Sequence, residues 1–282
     1  MDELTVKKDF TDIYMQKSPN AYLKEMERLD YCIPDKTKPL YLSLITQLYN
    51  KLSKPINVLD IGSSYGINSS LMKYGLSMSE LNDFFSKEPT KEQSSRFFDD
   101  LPSDDRLDFY QIDISESALK FSEDVKLCEK GLCVNLETEN LPIKNIPQFD
   151  LVIATGCIGY IGFRAFSNLF EFIKKQHSHN DSSTPKKYPF FAFSVLRIFD
   201  MNKIKKTFEN YGYSIVKIDM KPIRQRKFSD STEKQKTISL LHGKKMTTKW
   251  LEDDGNFYAD FYIAGPKKLE NQLISMSKIL EK

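Results

Sequence analysis

The chain has 282 residues, 40% hydrophobic and 28% charged, with 41 Lys+Arg against 39 Asp+Glu and a formal net charge of +2. That balance excludes a polycation that coats nucleic acid and an acidic solvating chain, and the apolar fraction is enough for a sizeable core. The length suits one large α/β domain with additions, or two domains.

The first twenty residues are polar, and MDELTVKKDF has neither an apolar run nor a cleavage pattern. No window approaches the ~20 apolar residues of a membrane span, so a soluble, cytoplasmic protein is expected. The cysteines Cys32, Cys128, Cys133 and Cys157 are too few and scattered for a disulfide scaffold, and no metal site is expected among them. Helical spacing runs from Asn20 to Leu29 and from Asp35 to Leu52, where Leu40, Leu44, Ile45, Leu48 and Leu52 share one face. Residues 1–54 thus read as an N-terminal helical cap.

Pro55 opens a β-type run, Ile56–Ile61, which breaks at Gly62-Ser63-Ser64-Tyr65-Gly66 before a helix reaching Tyr74. Residues 77–108 carry nine Asp/Glu against four Lys/Arg and read as an acidic insertion of short surface helices. A strand at Leu107–Asp113 follows, then a helix N-capped by Ser115 and running to about Lys130, a short strand near Leu132–Leu136, and the near-continuous apolar run Phe149–Thr155. Residues 163–176 read as a helix and 174–187 as a polar loop. Beyond lie a buried strand at Tyr188–Arg197, a helix to Tyr211 stopped by Gly212, and a strand at Tyr213–Met220. Residues 221–249 read as a polar, basic loop without strong periodicity; a last strand, Phe257–Ala264, precedes a tail helix over 267–282. Strands alternating with helices predict a doubly wound, mostly parallel α/β sheet spanning residues 55–266.

In such sheets ligands sit at the carboxyl ends of the strands, near the point where strand order reverses. The segment Asp60-Ile61-Gly62-Ser63-Ser64-Tyr65-Gly66 falls there. Gly62 allows a sharp turn and bare backbone against a ligand, and Gly66 starts a helix close to the sheet. VLDIGSSYG resembles the first motif of the class I S-adenosylmethionine-dependent methyltransferases, an acid, an apolar residue and G-x-G-x-G. Asp60, Ile61, Gly62 and Gly66 match; Ser64 stands where the family usually has its middle glycine. Asp113, with Ile114 beside it in YQIDIS, resembles the family's ribose-binding acid. Asn135-Leu136-Glu137 lies where the family contacts adenine, and FDLVIATGCIGY resembles its fourth-strand motif. The resemblance spans roughly residues 56–265 and implies a Rossmann-like methyltransferase with S-adenosylmethionine as cofactor. A nicotinamide-binding reading shares the fold class but needs G-x-G-x-x-G, of which the chain supplies only Gly62 and Gly66.

The resemblance places Asp60, Gly62, Ser63, Ser64, Tyr65, Gly66, Asn68, Asp113, Ile114, Asn135, Leu136, Glu137 and Thr155 around the cofactor. Tyr65 and Asn68 either touch its methionine part or cap the helix. Methyl transfer is an in-line displacement, so the protein mostly aligns reactants and excludes water, and a protonated acceptor needs a base. Candidates near the reaction centre are Tyr160, Arg197 and His242, each with a structural alternative. Arg197 closes a strongly apolar strand and must reach either a substrate acid or a structural carboxylate. Candidate substrate contacts are Cys157 on the fourth-strand end, Tyr14 and Tyr22 in the N-terminal roof, and Arg224 and Arg226 in the basic stretch. Between Lys217 and Lys249 ten Lys/Arg stand against three Asp/Glu, which suits an anionic substrate, from a metabolite to RNA, or a solvated connection. TGCIG lacks the Asn/Asp-Pro-Pro-aromatic and Pro-Cys signatures of the family's nucleic-acid base enzymes. The expected reaction is methyl transfer to N, O or S of a small, possibly anionic metabolite. RNA or protein methylation and a non-catalytic partner protein remain the alternatives.

Overall fold

The computed structural model describes residue 13 and residues 15–142, 146–159, 161–179 and 188–281. The candidates Tyr14 and Tyr160 therefore lie outside the described residues. Among the described residues eight strands form: β1 (Ile56–Ile61), β2 (Leu107–Asp113), β3 (Lys130–Cys133), β4 (Leu151–Ala154), β5 (Phe190–Leu196), β6 (Tyr213–Lys217), β7 (Ile223–Lys227) and β8 (Asn256–Pro266). The helices described in full begin with α1 (Asn20–Arg28), α2 (Ile33–Leu52), α3 (Ile67–Lys73), α4 (Met78–Phe85) and α5 (Lys91–Asp99). They are followed by α6 (Glu116–Asp124), α7 (Phe163–His179), α8 (Asn202–Asn210), α9 (Ser231–Gly243) and α10 (Glu270–Leu280).

The strands make one sheet in the order β3-β2-β1-β4-β5-β8-β6, with β7 also paired to β8. β1 to β5 run parallel, and β8 runs against β5, β6 and β7. This is the doubly wound, mostly parallel α/β sheet that the alternation predicts. Strand order reverses between β1 and β4, which opens a crevice at their carboxyl ends.

Alternation along each strand divides the core. On one face Val58, Ile153 and Ala192 meet Tyr41, Leu44, Ile45 and Leu48 of α2. On the other, Ile61, Val152 and Phe193 meet Phe166 and Phe170 of α7 and Phe208 of α8. A third cluster joins α1, α3, α4, α5 and α6 through Leu23, Leu71, Leu81, Phe98 and Phe121, with Tyr65 of the turn among them. The acidic insertion thus packs its own apolar stripe, and capping boxes at Ser77 and Thr90 start its two helices.

Several boundaries differ from the sequence reading. The buried face of α2 is Thr37, Tyr41, Leu44, Ile45 and Leu48, whereas Leu52 is exposed, so α2 is a layer of the sheet's core. α6 stops at Asp124 because the chain turns through Lys126 at φ 60°, and β3 accordingly begins earlier, at Lys130. α7 continues through Lys174 to His179, into the stretch read as loop.

The largest difference is at residues 221–249, where β7 and α9 replace a loop. Polar side chains hide both elements from a hydrophobicity pattern. Gln225 and Arg226 of β7 are buried, and the inward stripe of α9 is Glu233, Thr237 and Leu241. Glu233 and Arg226 satisfy one another, which lets a polar strand and a polar helix lie inside.

Candidate functional site

The turn after β1 follows from its residues. Gly62, Ser64 and Gly66 all hold left-handed backbone, at φ 65°, 51° and 75°. Glycine adopts this freely; serine pays for it. The strain at Ser64 is offset by a charge-assisted bond, because its amide donates to Asp113 Oδ2 at 2.8 Å. The other oxygen of Asp113 takes the Ser115 amide at 3.0 Å, so one carboxylate at the end of β2 ties the turn to the start of α6. Burial pushes the Asp113 carboxyl above the usual carboxylate range, against these backbone bonds.

The two glycines serve packing. A Cβ on Gly62 would stand 2.7 Å from Cys157 Cβ, and one on Gly66 would stand 2.6 Å from Ser122 Oγ. The close approach expected at Gly62 is therefore made by Cys157, whose thiol also donates to the Ile61 carbonyl at 3.1 Å.

Under the turn runs a buried polar chain. Asn68 Nδ2 donates to both oxygens of Asp60, at 3.0 and 3.1 Å, and lies 3.2 Å from Thr155 Oγ1. Thr155 Oγ1 shares a 2.8 Å hydrogen bond with the Tyr41 hydroxyl. Asp60 is fully buried, and desolvation pushes its carboxyl up to about 8; the Asn68 amide opposes the shift and the Asp113 charge adds to it. Two hydroxyls in the turn, Ser63 Oγ and Ser64 Oγ, are buried without a hydrogen-bond partner. Such atoms are costly unless something donates to or accepts from them.

The N-terminal elements roof this turn. The Tyr65 hydroxyl donates toward the Ile13 and Gln16 carbonyls at 3.1 and 2.8 Å, and burial raises its pKa to about 12. The Tyr22 ring packs beside it at a tilt of 39°, with ring centroids 5.8 Å apart. Burial, and then the negative charge of its neighbours including Asp113 and Asp60, hold the Tyr22 hydroxyl well above its usual pKa. At the end of β4 the chain turns through Gly156 at φ 71°, where a Cβ would meet the Tyr31 hydroxyl at 2.5 Å and Gln225 Nε2 at 3.5 Å. Gln225 Oε1 is a further buried oxygen without a partner.

On the other flank Ile114 leaves its side chain 62% exposed beside Asp113. The Asn135 side chain accepts from the Glu137 amide at 3.0 Å, the Leu136 carbonyl accepts from Asn168 Nδ2 at 2.7 Å, and Glu137 Oε1 takes the Ala165 amide in the first turn of α7 at 3.1 Å. The segment 135–137 is thereby pinned to α7.

The structure brings together Asp60, Gly62, Ser63, Ser64, Tyr65, Gly66, Asn68, Asp113, Thr155, Cys157 and Tyr22. It does not bring the basic candidates there as free cations. Arg197 pairs with Glu252 at 2.5 Å and donates to the Thr247 carbonyl at 2.7 Å, the structural-carboxylate alternative. Arg226 forms a two-bond pair with Glu233, and Arg224 meets Asp30 at 2.6 Å. His242, on α9, shares a 3.1 Å contact with Thr248 Oγ1. Among the described residues no group of three or more His, Cys, Asp or Glu could hold a metal ion. No described helix is long and apolar enough to cross a membrane. Tyr31 and Tyr41 escaped the sequence reading, since nothing near them resembles a motif; the one signal was that Tyr41 falls on the stripe of Leu44, Ile45 and Leu48.

No family model matches the chain, and no curated protein matches it. Solved structures do resemble it. Magnesium protoporphyrin IX methyltransferase from Synechocystis with bound S-adenosylmethionine is 12% identical, with a TM-score of 0.43 over 94% of this chain and 98% of that one. A Burkholderia thailandensis 1,6-didemethyltoxoflavin-N1-methyltransferase with S-adenosylhomocysteine is 10% identical, with a TM-score of 0.38 over 79% and 76%. A precorrin-6y C5,15-methyltransferase from Geobacter metallireducens is 13% identical, with a TM-score of 0.36 over 79% and 87%. Scores this low at such identities leave the chemistry of the site to its own residues.

Proposed function

We propose that the chain is an S-adenosylmethionine-dependent methyltransferase acting on a small molecule. The observation that carries this is the turn after β1: three left-handed residues, the middle one tied to Asp113, with two buried serine hydroxyls that lack a partner among the described residues. The donor set fits an adenosyl sulfonium. Ser63 and Ser64 offer hydroxyls to its methionine end, and the Asp113 oxygens keep lone pairs for ribose hydroxyls beyond the two amides they accept. Ile114 offers an exposed apolar surface for adenine, next to the pinned segment 135–137. Below the turn lies the Asp60 carboxyl, held in place by the Asn68 amide.

When bound, this cofactor supplies a methyl group on a cationic sulfur that an acceptor displaces in line. The chain's own residues align and enclose. Gly156, Cys157, Tyr31 and Gln225 wall the end of β4, and Tyr65 fastens Ile13 and Gln16 over the turn, which excludes water. No charged base stands among them. The small-molecule class is favoured over RNA because Arg224 and Arg226 are consumed by Asp30 and Glu233. The chemical similarity of the crevice's needs to a nicotinamide's is limited by the glycine pattern.

Calorimetric titration with S-adenosylhomocysteine, followed by tritiated-methyl transfer into small-molecule and RNA fractions of a cell extract, tests the reading. Binding and label in a small molecule are expected. Absence of binding, or binding of a nicotinamide cofactor instead, overturns it. Binding without transfer into any fraction makes the chain a cofactor-fold partner protein.

A further inference from the structure

Among the described residues, the three most exposed large apolar side chains are Trp250 at 84%, Ile114 at 62% and Met15 at 53%. All three stand at the carboxyl end of the parallel strands. Ile114 follows β2 and is already assigned to the proposed cofactor crevice. Met15 lies between Ile13 and Gln16, whose carbonyls Tyr65 fastens over the turn after β1. Trp250 belongs to the turn before β8, which Arg197 at the end of β5 ties down through the Thr247 carbonyl and Glu252. Phe163, 37% exposed, opens α7 in the connection after β4. Met15, Phe163 and Trp250 are thus tied to β1, β4 and β5, neighbouring strands that span about 10 Å of the sheet.

The Trp250 turn is firmly built. Thr248 is buried, its carbonyl accepts the Leu251 and Asp253 amides at 3.0 and 3.2 Å, and the buried Glu252 pairs with Arg197. Trp250 itself holds φ 65°, left-handed backbone that a bulky side chain adopts only under strain. A fixed turn that carries strain and leaves the chain's single tryptophan in water points to a partner for the ring.

Each apolar side chain has a cation at hand. Lys17 is two residues from Met15. Arg164 follows Phe163, and Lys203 Nζ lies 5.7 Å from the centroid of its ring. Lys249 Nζ lies 5.5 Å from the Trp250 centroid, with Lys245 in the same segment. All five cations are exposed, and none pairs with an acid among the described residues. The acids nearby are offset. Asp200 accepts the Asn202 amide, Asp254 accepts from the Asn256 amide and the Tyr258 hydroxyl, and the Lys234 ammonium lies 2.9 Å from the Asp253 carbonyl.

We propose that this end of the sheet docks on an anionic lipid surface, with Met15, Phe163 and Trp250 entering the headgroup layer and the five cations meeting lipid phosphates. Separate apolar anchors flanked by long-stemmed cations suit a headgroup region, which closes around each one. A protein partner needs a contiguous apolar core, and single side chains spread over about 10 Å do not supply one. Single-stranded nucleic acid has rings to stack on at Trp250 and Phe163 but no use for Met15. The docking does not depend on the cofactor reading.

Sedimentation of the full chain with vesicles tests it. Vesicles of phosphatidylcholine with phosphatidylglycerol are expected to bind, and those of phosphatidylcholine alone to bind far less. Because Trp250 is the only tryptophan, its emission should move to shorter wavelength on the anionic vesicles and be quenched by brominated acyl chains. Trp250→Gly, which relieves the left-handed strain, should weaken vesicle binding about tenfold while melting no lower than the parent. Lys245→Gln and Lys249→Gln should each weaken it about fivefold, and Phe163→Gln by a similar factor. Absence of binding to anionic vesicles, equal binding to neutral ones, unshifted emission, indifference to any of these substitutions, or preference for polyuridylate over vesicles overturns the proposal. S-adenosylhomocysteine is titrated separately, so that the docking surface and the proposed cofactor crevice can each fail alone.

Discussion

In the β7–α9 region Arg226 and Glu233, 2% and 3% exposed, meet through bonds of 2.9 and 2.7 Å, and Arg197 meets Glu252 close by. At the carboxyl ends of β1 and β2, Asp60 is just as buried but rests on a neutral amide, Asp113 on two backbone amides, and two serine hydroxyls on nothing. The first region cancels its charges internally, and its buried ionic groups have no capacity left for a ligand, although the neutral Gln225 Oε1 and Thr237 Oγ1 lack partners. The second keeps its carboxyls without a cationic partner and has unfilled hydrogen-bonding positions in a strained turn. Burial of charge is common to both; unspent bonding capacity separates a binding site from scaffold.

The contrast is tested most strongly by Arg226→Met. Removing one partner of a buried pair strands Glu233, and urea denaturation should report a loss of about 3–5 kcal/mol, with S-adenosylhomocysteine affinity of the folded fraction unchanged. Arg226→Met with Glu233→Leu should recover most of that loss. A weakened cofactor affinity in either variant would blur the distinction between the regions.

Asp60 gives the next effect, through pH. Its carboxyl is raised to about 8 in the folded chain, chiefly by burial. The folded protein therefore holds a proton that the unfolded chain releases near pH 4, and this contribution to stability is lost as pH rises from about 4 to about 8. Asp60→Asn should flatten the stability profile across that window, measured by urea midpoints at successive pH values. An unchanged slope would mean that Asp60 is ionised in its pocket.

Asp113→Ala should weaken S-adenosylhomocysteine by about 1–3 kcal/mol in calorimetry, since ribose hydroxyls and the Ser64 amide lose the same acceptor. Equal affinity would remove Asp113 from the site. The smallest effect is Tyr41→Phe, which deletes one bond to Thr155 while Asn68 still reaches that hydroxyl. A stability loss of about 0.5–1.5 kcal/mol is expected by thermal melting, with cofactor affinity preserved.

The parallel strands were legible because burial on both faces demands continuous apolar runs, as in Leu151–Ala154 and Phe190–Leu196. The turn was legible because left-handed backbone selects glycine, and Gly62 and Gly66 bracket it. Ser64 reads as a mere departure from pattern until Asp113, 49 residues away, is seen holding its amide. β7 and α9 were illegible because most of their inward residues are polar and the buried Arg226 and Glu233 are matched across the two elements.

The sequence by itself determined the alternation of strand and helix, the place of the glycine turn at the end of the first strand, and the acid at the end of the second. Those depend on local periodicity and backbone sterics, which neighbouring residues encode. Tertiary structure alone decided which polar groups are spent: that Arg197, Arg224 and Arg226 find Glu252, Asp30 and Glu233, and that Tyr41 reaches Thr155 across the core. Hydrogen bonds and ion pairs act over a few ångströms of space, whatever the separation along the chain, so their pairing is fixed only when the sheet closes.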